Sequence, residues 1–310
     1  LKSNDKKKLE KDNFFNDLKN NLKEEFNKIQ ESITHKYEGG LKYSKLIKGG
    51  KFKLIPFLIN AYKEGKFLNT FKILWRTLVL GFQIPIAYFK KGKNEKWKDY
   101  SYKKMKSWGL DLCKIAKVNL KVINNENLSK DKTYLFVSNH LSPYDIPVLS
   151  AAIPVPNGYI ANKQFTSFFV TNFWVKHSGG VFIDKHDKKS QIQSLKNIVK
   201  SLKDGNSLIL FPEGYMSKDG ELQKLNKGGL MAAYYGDALI VPILLHGTRE
   251  VCKPGEFGVN MNKNVYVVFD EPIDLKKLSK EDLNNIDIYV YNKLKKLKEN
   301  LINNLLVIEK

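Results

Sequence analysis

Between residues 118 and 273 the chain repeats one pattern: a short apolar run, a polar turn, then more polar or helix-like sequence before the next apolar run. The runs are "VNLKVIN", "TYLFVSN", "GYIANK", "GGVFID", "SLILFPEG", "ALIVPILLHG" and "NVYVVFDEPI". Among the stretches between them, "PYDIPVLSAA", "SFFVTNFWVKH", "KKSQIQSLKNIVKSLKDG" and "KGGLMAAYYG" read as helices, the third closing on Gly205. Short apolar strands alternating with helices predict an α/β fold, with one mostly parallel, buried sheet flanked by helices. A chain of 310 residues has the material for one large domain or two modest ones.

Four of the runs end in polar clusters: "SNHLSPYD", "FIDK", "FPEG" and "LLHGT". In open α/β sheets, ligands bind in the crevice beyond the carboxyl ends of the strands. In the first cluster, Ser142-Pro143-x-Asp145 has the form of a helix start, with Ser142 as N-cap and Asp145 as the capping-box acid. That accounts for Asp145 and leaves His140 unexplained. A turn between the two could also bring Asp145 to one imidazole nitrogen, fixing the tautomer and freeing the other nitrogen to accept a proton. There is no "GxSxG" nucleophile elbow, so such a base would act directly on a substrate hydroxyl.

In "LILFPEG", Glu213 stands where a buried strand emerges. There a carboxylate wants a backbone N–H, a lysine or a substrate hydroxyl, and Gly214 permits close backbone approach. The ordinary alternative is a turn with a solvated glutamate. Lys185 in "FIDK" and Lys163 in "YIANKQF" could each hold a phosphate as a point charge; otherwise they are surface lysines.

Taken in order, "NHLSPYD", "GGVFIDK", "FPEG" and "VPILLHGT" resemble the four sequence blocks of the glycerolipid acyltransferase family. The likeness is best to the 1-acyl-glycerol-3-phosphate (lysophosphatidate) acyltransferases and covers roughly residues 105–280. It implies acyl transfer from an acyl-thioester to the 2-hydroxyl of 1-acyl-glycerol-3-phosphate, giving phosphatidate. His140 would be the general base and Asp145 its partner. Lys185 and Lys163 would contact phosphate, Glu213 and Gly214 would hold the acceptor, and Pro242 would shape the acyl side. No metal or cofactor is implied; acyl carrier protein and coenzyme A both stand open as carriers of the donor. Glycerol-3-phosphate, dihydroxyacetone phosphate or another lysophospholipid stand open as acceptors. Two departures from the family pattern stand out: lysine ends the second block where arginine is usual, and Tyr215-Met216 replace Thr-Arg after Glu-Gly in the third. The first keeps the charge but loses the bidentate fork.

The amino-terminal third differs in texture. Phe15, Leu18, Leu22, Phe26, Ile29 and Ile33 form a helical stripe, the mark of an amphipathic helix. Residues 52–89 are apolar and aromatic but interrupted by Lys72, Arg76, Gln83 and Pro85. A spanning helix needs about 20 mostly apolar residues, so a helical element dipping into one leaflet is expected, with a buried helix pair as the alternative. Residues 90–106 read as a charged connector. The expected division is a membrane-associating region (1–104), an α/β acyltransferase domain (105–280) and a carboxyl-terminal helix (281–310). The expected location is the cell membrane, peripheral or monotopic on the cytoplasmic side.

The net charge of +21 favours anionic partners: nucleic acid, an acidic protein or an anionic membrane surface. Of 53 Lys and Arg only Arg76 and Arg249 are arginine, a composition of the kind an AT-rich genome imposes, so part of the charge carries no function. A non-catalytic basic protein on membrane or nucleic acid is the rival from another class. Basic residues are spread along the whole chain without an aromatic-basic RNA-binding motif, so no nucleic acid is expected. Cys113 and Cys252 lie far apart without metal-ligand spacing and read as buried free thiols. No apolar segment follows the opening charges as in a secretory signal.

Overall fold

The computed structural model describes residues 47–48, 51–52, 61–84, 94–184, 188–255 and 258–308. The stripe from Phe15 to Ile33 lies outside them, as does Lys185. All seven expected strands form: β1 (Asn119–Ile123), β2 (Tyr134–Ser138), β3 (Asn157–Asn162), β4 (Val181–Ile183), β5 (Ser207–Leu210), β6 (Leu239–His246) and β7 (Asn264–Phe269). They make one sheet in the order β1-β7-β6-β2-β5-β3-β4. Every neighbouring pair is parallel except β6 and β7.

The sheet is buried on both faces, which is why its central strands read as unbroken apolar runs. All five residues of β2 are buried. On one face Phe136, Ile209, Val241 and Val267 pack with Leu112, Cys113 and Ala116 of α2 (Asn94–Ile115) and its following turn, and with Val148 and Leu149 of α3 (Asp145–Ala152). On the other face Leu135, Val137, Leu208 and Ile240 meet α5 (Lys188–Lys203), α6 (Lys227–Tyr235) and α7 (Ile286–Ile308). Each large apolar side chain so buried contributes about 1.5–3 kcal/mol. Both cysteines are buried, and neither is in a disulfide among the described residues.

The charged connector proves to be most of α2. Tyr102, Leu112 and Cys113 are buried along this helix, with Met105 and Trp108 packed against the core. Lysines on its solvent face hide the stripe in the sequence. Gly109 lets α2 approach α3 closely: a Cβ there would lie 2.4 Å from the Pro147 carbonyl oxygen. The expected boundary at 104/105 thus falls inside one helix.

Before it runs α1 (Phe67–Phe82), fastened to α2 by the Arg76–Asp111 ion pair at 2.7 Å and by a hydrogen bond from Trp108 Nε1 to Thr77 Oγ1 at 3.2 Å. Its outward side exposes Phe67, Leu68, Phe71, Trp75, Leu78 and Phe82. Among the described residues no helix is long and apolar enough to cross a membrane. Helix α4 (Phe169–His177) closes the remaining side of α1, with Val170 and Phe169 against Gly81.

Candidate active site

The chain leaves β2 at Asn139. The side-chain amide of Asn139 continues the ladder: Nδ2 donates to the Leu245 carbonyl at 3.0 Å, and Oδ1 accepts the Leu245 N–H at 2.8 Å. The next residue, His140, is thereby delivered at the carboxyl end of the central strand. Its imidazole lies flat on Phe211, with ring centroids 4.1 Å apart and planes 17° from parallel.

Asp145 opens α3 and is fully buried. Its Oδ2 lies 2.7 Å from His140 Nδ1 and accepts the N–H groups of Leu141 at 2.7 Å and Ser142 at 3.0 Å. The two N–H bonds hold the turn that leads into α3, whose N-cap is Tyr144. The Ser142 hydroxyl accepts the Tyr144 N–H at 2.9 Å and donates to the Cys252 carbonyl at 2.6 Å. One oxygen therefore serves both the turn into α3 and the imidazole, though the helix begins at Asp145 with Tyr144 as its N-cap, later than the start at Ser142 that the sequence suggests. With Asp145 accepting at Nδ1, the neutral imidazole carries its proton there and leaves Nε2 as the acceptor. The histidine side chain keeps 18% of its surface exposed while Asp145 keeps none, so an incoming molecule meets the ring and not the carboxylate.

Strand β5, the neighbour of β2, ends at Leu210, and the chain turns through Phe211-Pro212-Glu213-Gly214. The turn closes with Gly214 N–H on the Phe211 carbonyl at 3.1 Å, and Gly214 adopts φ 80°, the left-handed region that favours glycine. Glu213 is buried; its Oε1 receives a long 3.4 Å contact from the His140 N–H, and its Oε2 is buried with no partner among the described residues. Burial, reinforced by the nearby Asp145 charge, pushes the Glu213 carboxyl up to about 8 against the pull of its backbone hydrogen bonds. It is largely a neutral acid at neutral pH. The loop that follows is tied to the histidine: Ser217 N–H donates to the His140 carbonyl at 2.7 Å.

The remaining sequence candidates sit elsewhere. Lys163 follows β3, is exposed, and pairs with Asp184 at 3.0 Å just past the end of β4. Pro242 is buried within β6, paired with Val137, below the strand end that carries His140. Its carbonyl accepts the Asp270 N–H at 2.9 Å. The structure brings together His140, Asp145, Glu213 and Gly214. It leaves Lys163 on the same sheet edge two strands from β2, and Pro242 inside the sheet. Sequence reasoning missed Asn139 and Phe211, though both adjoin residues it singled out. Surface depressions of about 160 and 670 Å³ lie at the opposite edge, around Asp237 and Leu239 at the start of β6.

A family model described as Acyltransferase matches residues 119–246. The chain is 32% identical over 170 residues to the chloroplastic 1-acyl-sn-glycerol-3-phosphate acyltransferase LPAT1 of Arabidopsis thaliana, covering 54% of this chain and 47% of that one. It is 30% identical over 169 residues to the 1-acyl-sn-glycerol-3-phosphate acyltransferase of Saccharomyces cerevisiae, covering 54% and 55%. The chain spans about half the length of these curated relatives. Among solved structures it is similar to the 1-acyl-sn-glycerophosphate (LPA) acyltransferase PlsC from Thermotoga maritima. That match has a TM-score of 0.60 and 24% identity, and covers 75% of this chain and 98% of the other. The resemblance read from the four blocks is thus shown for the segment that holds three of the strand ends at the site, and the α/β fold is shared with that structure.

Proposed function

We propose that this protein is a 1-acylglycerol-3-phosphate O-acyltransferase, moving a fatty acyl chain from a thioester to the 2-hydroxyl of lysophosphatidate at a membrane surface. The observation that carries the reading is the His140–Asp145 pair at the end of β2, beside a buried Glu213 at the end of β5, one of whose oxygens has no partner among the described residues. Nε2 of His140 takes the proton of the acceptor hydroxyl as its oxygen attacks the thioester carbonyl. The carbon–sulfur bond then breaks, and the proton passes to the departing thiolate, so an ester and a free thiol result. Asp145 holds the ring in the correct tautomer and stabilises the imidazolium formed in between. Phe211 fixes the plane of the ring. Glu213 bonds a polar group of the acceptor, and the Gly214 turn lets the acceptor approach the backbone. Lys185 and Lys163 supply charge for the phosphate. The acyl carrier can be acyl carrier protein or coenzyme A.

The surface of α1 supports the membrane location. Its exposed aromatic and aliphatic side chains, on a chain of net charge +21, have the composition of an element lying in the headgroup region of an anionic leaflet. In this reading the chain before α2 serves the membrane, α2 belongs with the domain that does the chemistry, and α7 packs on the sheet. The deciding experiment supplies the purified protein with lysophosphatidate in lipid vesicles and either donor. Phosphatidate formation with one of them is expected. Product only with glycerol-3-phosphate or another lysolipid would move the assignment to that acceptor, and no acyl transfer at all would end it.

A further inference from the structure

We infer that Arg249 is a positioning residue for acyl transfer: from the end of β6 it clamps the loop that joins Glu213 to the backbone of His140. The inference rests on the acyltransferase reading. Arg249 lies in the helical turn Thr248–Val251 that follows β6. Its Nη1 donates to the Ser217 carbonyl at 2.9 Å and its Nη2 to the Lys218 carbonyl. Ser217 is fully buried, and its own N–H donates to the His140 carbonyl. Two consecutive bonds therefore run from the guanidinium through Ser217 to the backbone of the base. They link the ends of β6, β5 and β2, the three strands on which the site is built.

The loop's far end is held separately, where Leu222 and Leu225 pack into the core and Asn226 bonds the Pro212 carbonyl. The loop's internal bonds, from Ser217 Oγ to Asp219 and to the Glu221 carbonyl, set its shape but not its place. A further tie, Lys298 to Glu221 at 2.5 Å, ends on an exposed carboxylate. Two adjacent carbonyls need a planar pair of donors, and a lysine ammonium cannot reproduce that fork. The chain uses lysine for nearly all its cations, yet places one of its two arginines here. Without the fork, the segment from Glu213 to Glu221 loses its reference to β6, and the Glu213 carboxyl and the His140 ring drift relative to one another. Misplacement of about 1 Å at a reacting centre can cost about 100-fold in rate.

The test compares full-length wild type, Arg249→Lys and Arg249→Ala in lipid vesicles, by steady-state kinetics, thermal midpoint and amide hydrogen exchange. In Arg249→Ala, kcat should fall about 10- to 100-fold with the donor KM little changed. Exchange should quicken across residues 213–221 while the β2 and β6 amides stay protected. Arg249→Lys should fall between, and added methylguanidinium should restore part of the alanine variant's rate. Wild-type kcat in Arg249→Ala overturns the inference, as does a slowed variant whose loop exchange is unchanged and which methylguanidinium does not rescue. Should the alanine variant not fold, Arg249→Lys decides by the same two readouts. A wild type that transfers no acyl chain overturns the acyltransferase reading itself. Loop exchange in the variants is independent of that result and separates the two failures.

Discussion

His140 and Asp145 meet through one carboxylate oxygen, 2.7 Å from Nδ1, which also accepts the two backbone N–H groups that begin the turn into α3. The atom that orients the imidazole is also the atom that holds the turn into α3. With His140 as the proposed base, rate and local stability should both depend on this position, and substitutions can separate them.

Asp145→Asn keeps a carbonyl oxygen for the Leu141 and Ser142 N–H groups, so folding should change by no more than about 1 kcal/mol. That same oxygen still accepts from Nδ1–H, so the tautomer is kept, but a neutral amide no longer stabilises the imidazolium that forms as the ring takes the proton. The rate should fall about 10²- to 10⁴-fold. Asp145→Ala should lose both rate and stability, since three donors then lack an acceptor. Denaturant melts beside single-turnover rates check this; an Asn variant with wild-type turnover would remove the pair from the mechanism.

His140→Ala removes the base and should lower acyl transfer about 10²- to 10⁴-fold. Its structural cost should be small, since the ring's main packing is one stacked face on Phe211, worth about 0.5–1.5 kcal/mol. Near-normal phosphatidate formation by this variant would rule the mechanism out.

Glu213 should make stability depend on pH in a direction opposite to that of a salt-bridged acid. Burial raises its folded-state value to about 8 from the usual 4.5. The folded state therefore holds a proton that the unfolded chain releases between those values. Its contribution is complete below about pH 4.5 and is lost as pH rises toward about 8, by at most about 1.4 kcal/mol per pH unit. Relative to Glu213→Gln, the wild type should lose stability between about pH 5 and 8. Denaturation of both proteins at three pH values in that window measures it, and a relative gain with rising pH would mean the carboxylate is held ionised.

Much of this was legible in the sequence because it depends on local pattern. The central strands are buried on both faces, so they appear as apolar runs, and the four polar clusters fall at strand ends because the sheet is almost wholly parallel. Helix α2 was not legible: it presents lysines to solvent, and its inward residues have meaning only once Gly109 is seen against Pro147. Asn139 and Phe211 were missed for a related reason. The first completes a ladder with Leu245 and the second stacks on His140, and both contacts join segments far apart in sequence. The Lys163–Asp184 pair is of the same kind.

If α1 lies in the headgroup region, charge on its exposed stripe should weaken vesicle binding and leave the fold intact. Trp75→Glu and Phe82→Glu each remove an exposed aromatic from the surface and add repulsion from anionic lipid. Partitioning onto vesicles containing anionic lipid should fall about 10-fold or more for each. Co-sedimentation measures it, with circular dichroism to show the fold retained; unchanged binding by both variants would assign this face to some other contact.

The phosphate-contact assignments of Lys163 and Lys185 can be ranked by charge. Lys163 is exposed and already spends its charge on Asp184, an arrangement worth about 1 kcal/mol or less. To hold a phosphate it would have to share or leave that partner. Lys185 lies next to Asp184 in sequence, outside the described residues, and is the cation of the block itself. Lys185→Ala should therefore raise the acceptor KM strongly, with kcat falling less and the donor KM unmoved, because the thioester bears no charge at that end. Lys185→Arg should be tolerated, since arginine keeps the charge and adds a fork. Lys163→Ala should have the smaller effect, and Asp184→Asn should lower the acceptor KM if Asp184 competes with the phosphate for Lys163. Steady-state kinetics with donor and acceptor varied separately distinguishes these outcomes. A larger KM effect at Lys163 than at Lys185 would reverse the ranking, and no effect at either would argue against a phosphate-bearing acceptor.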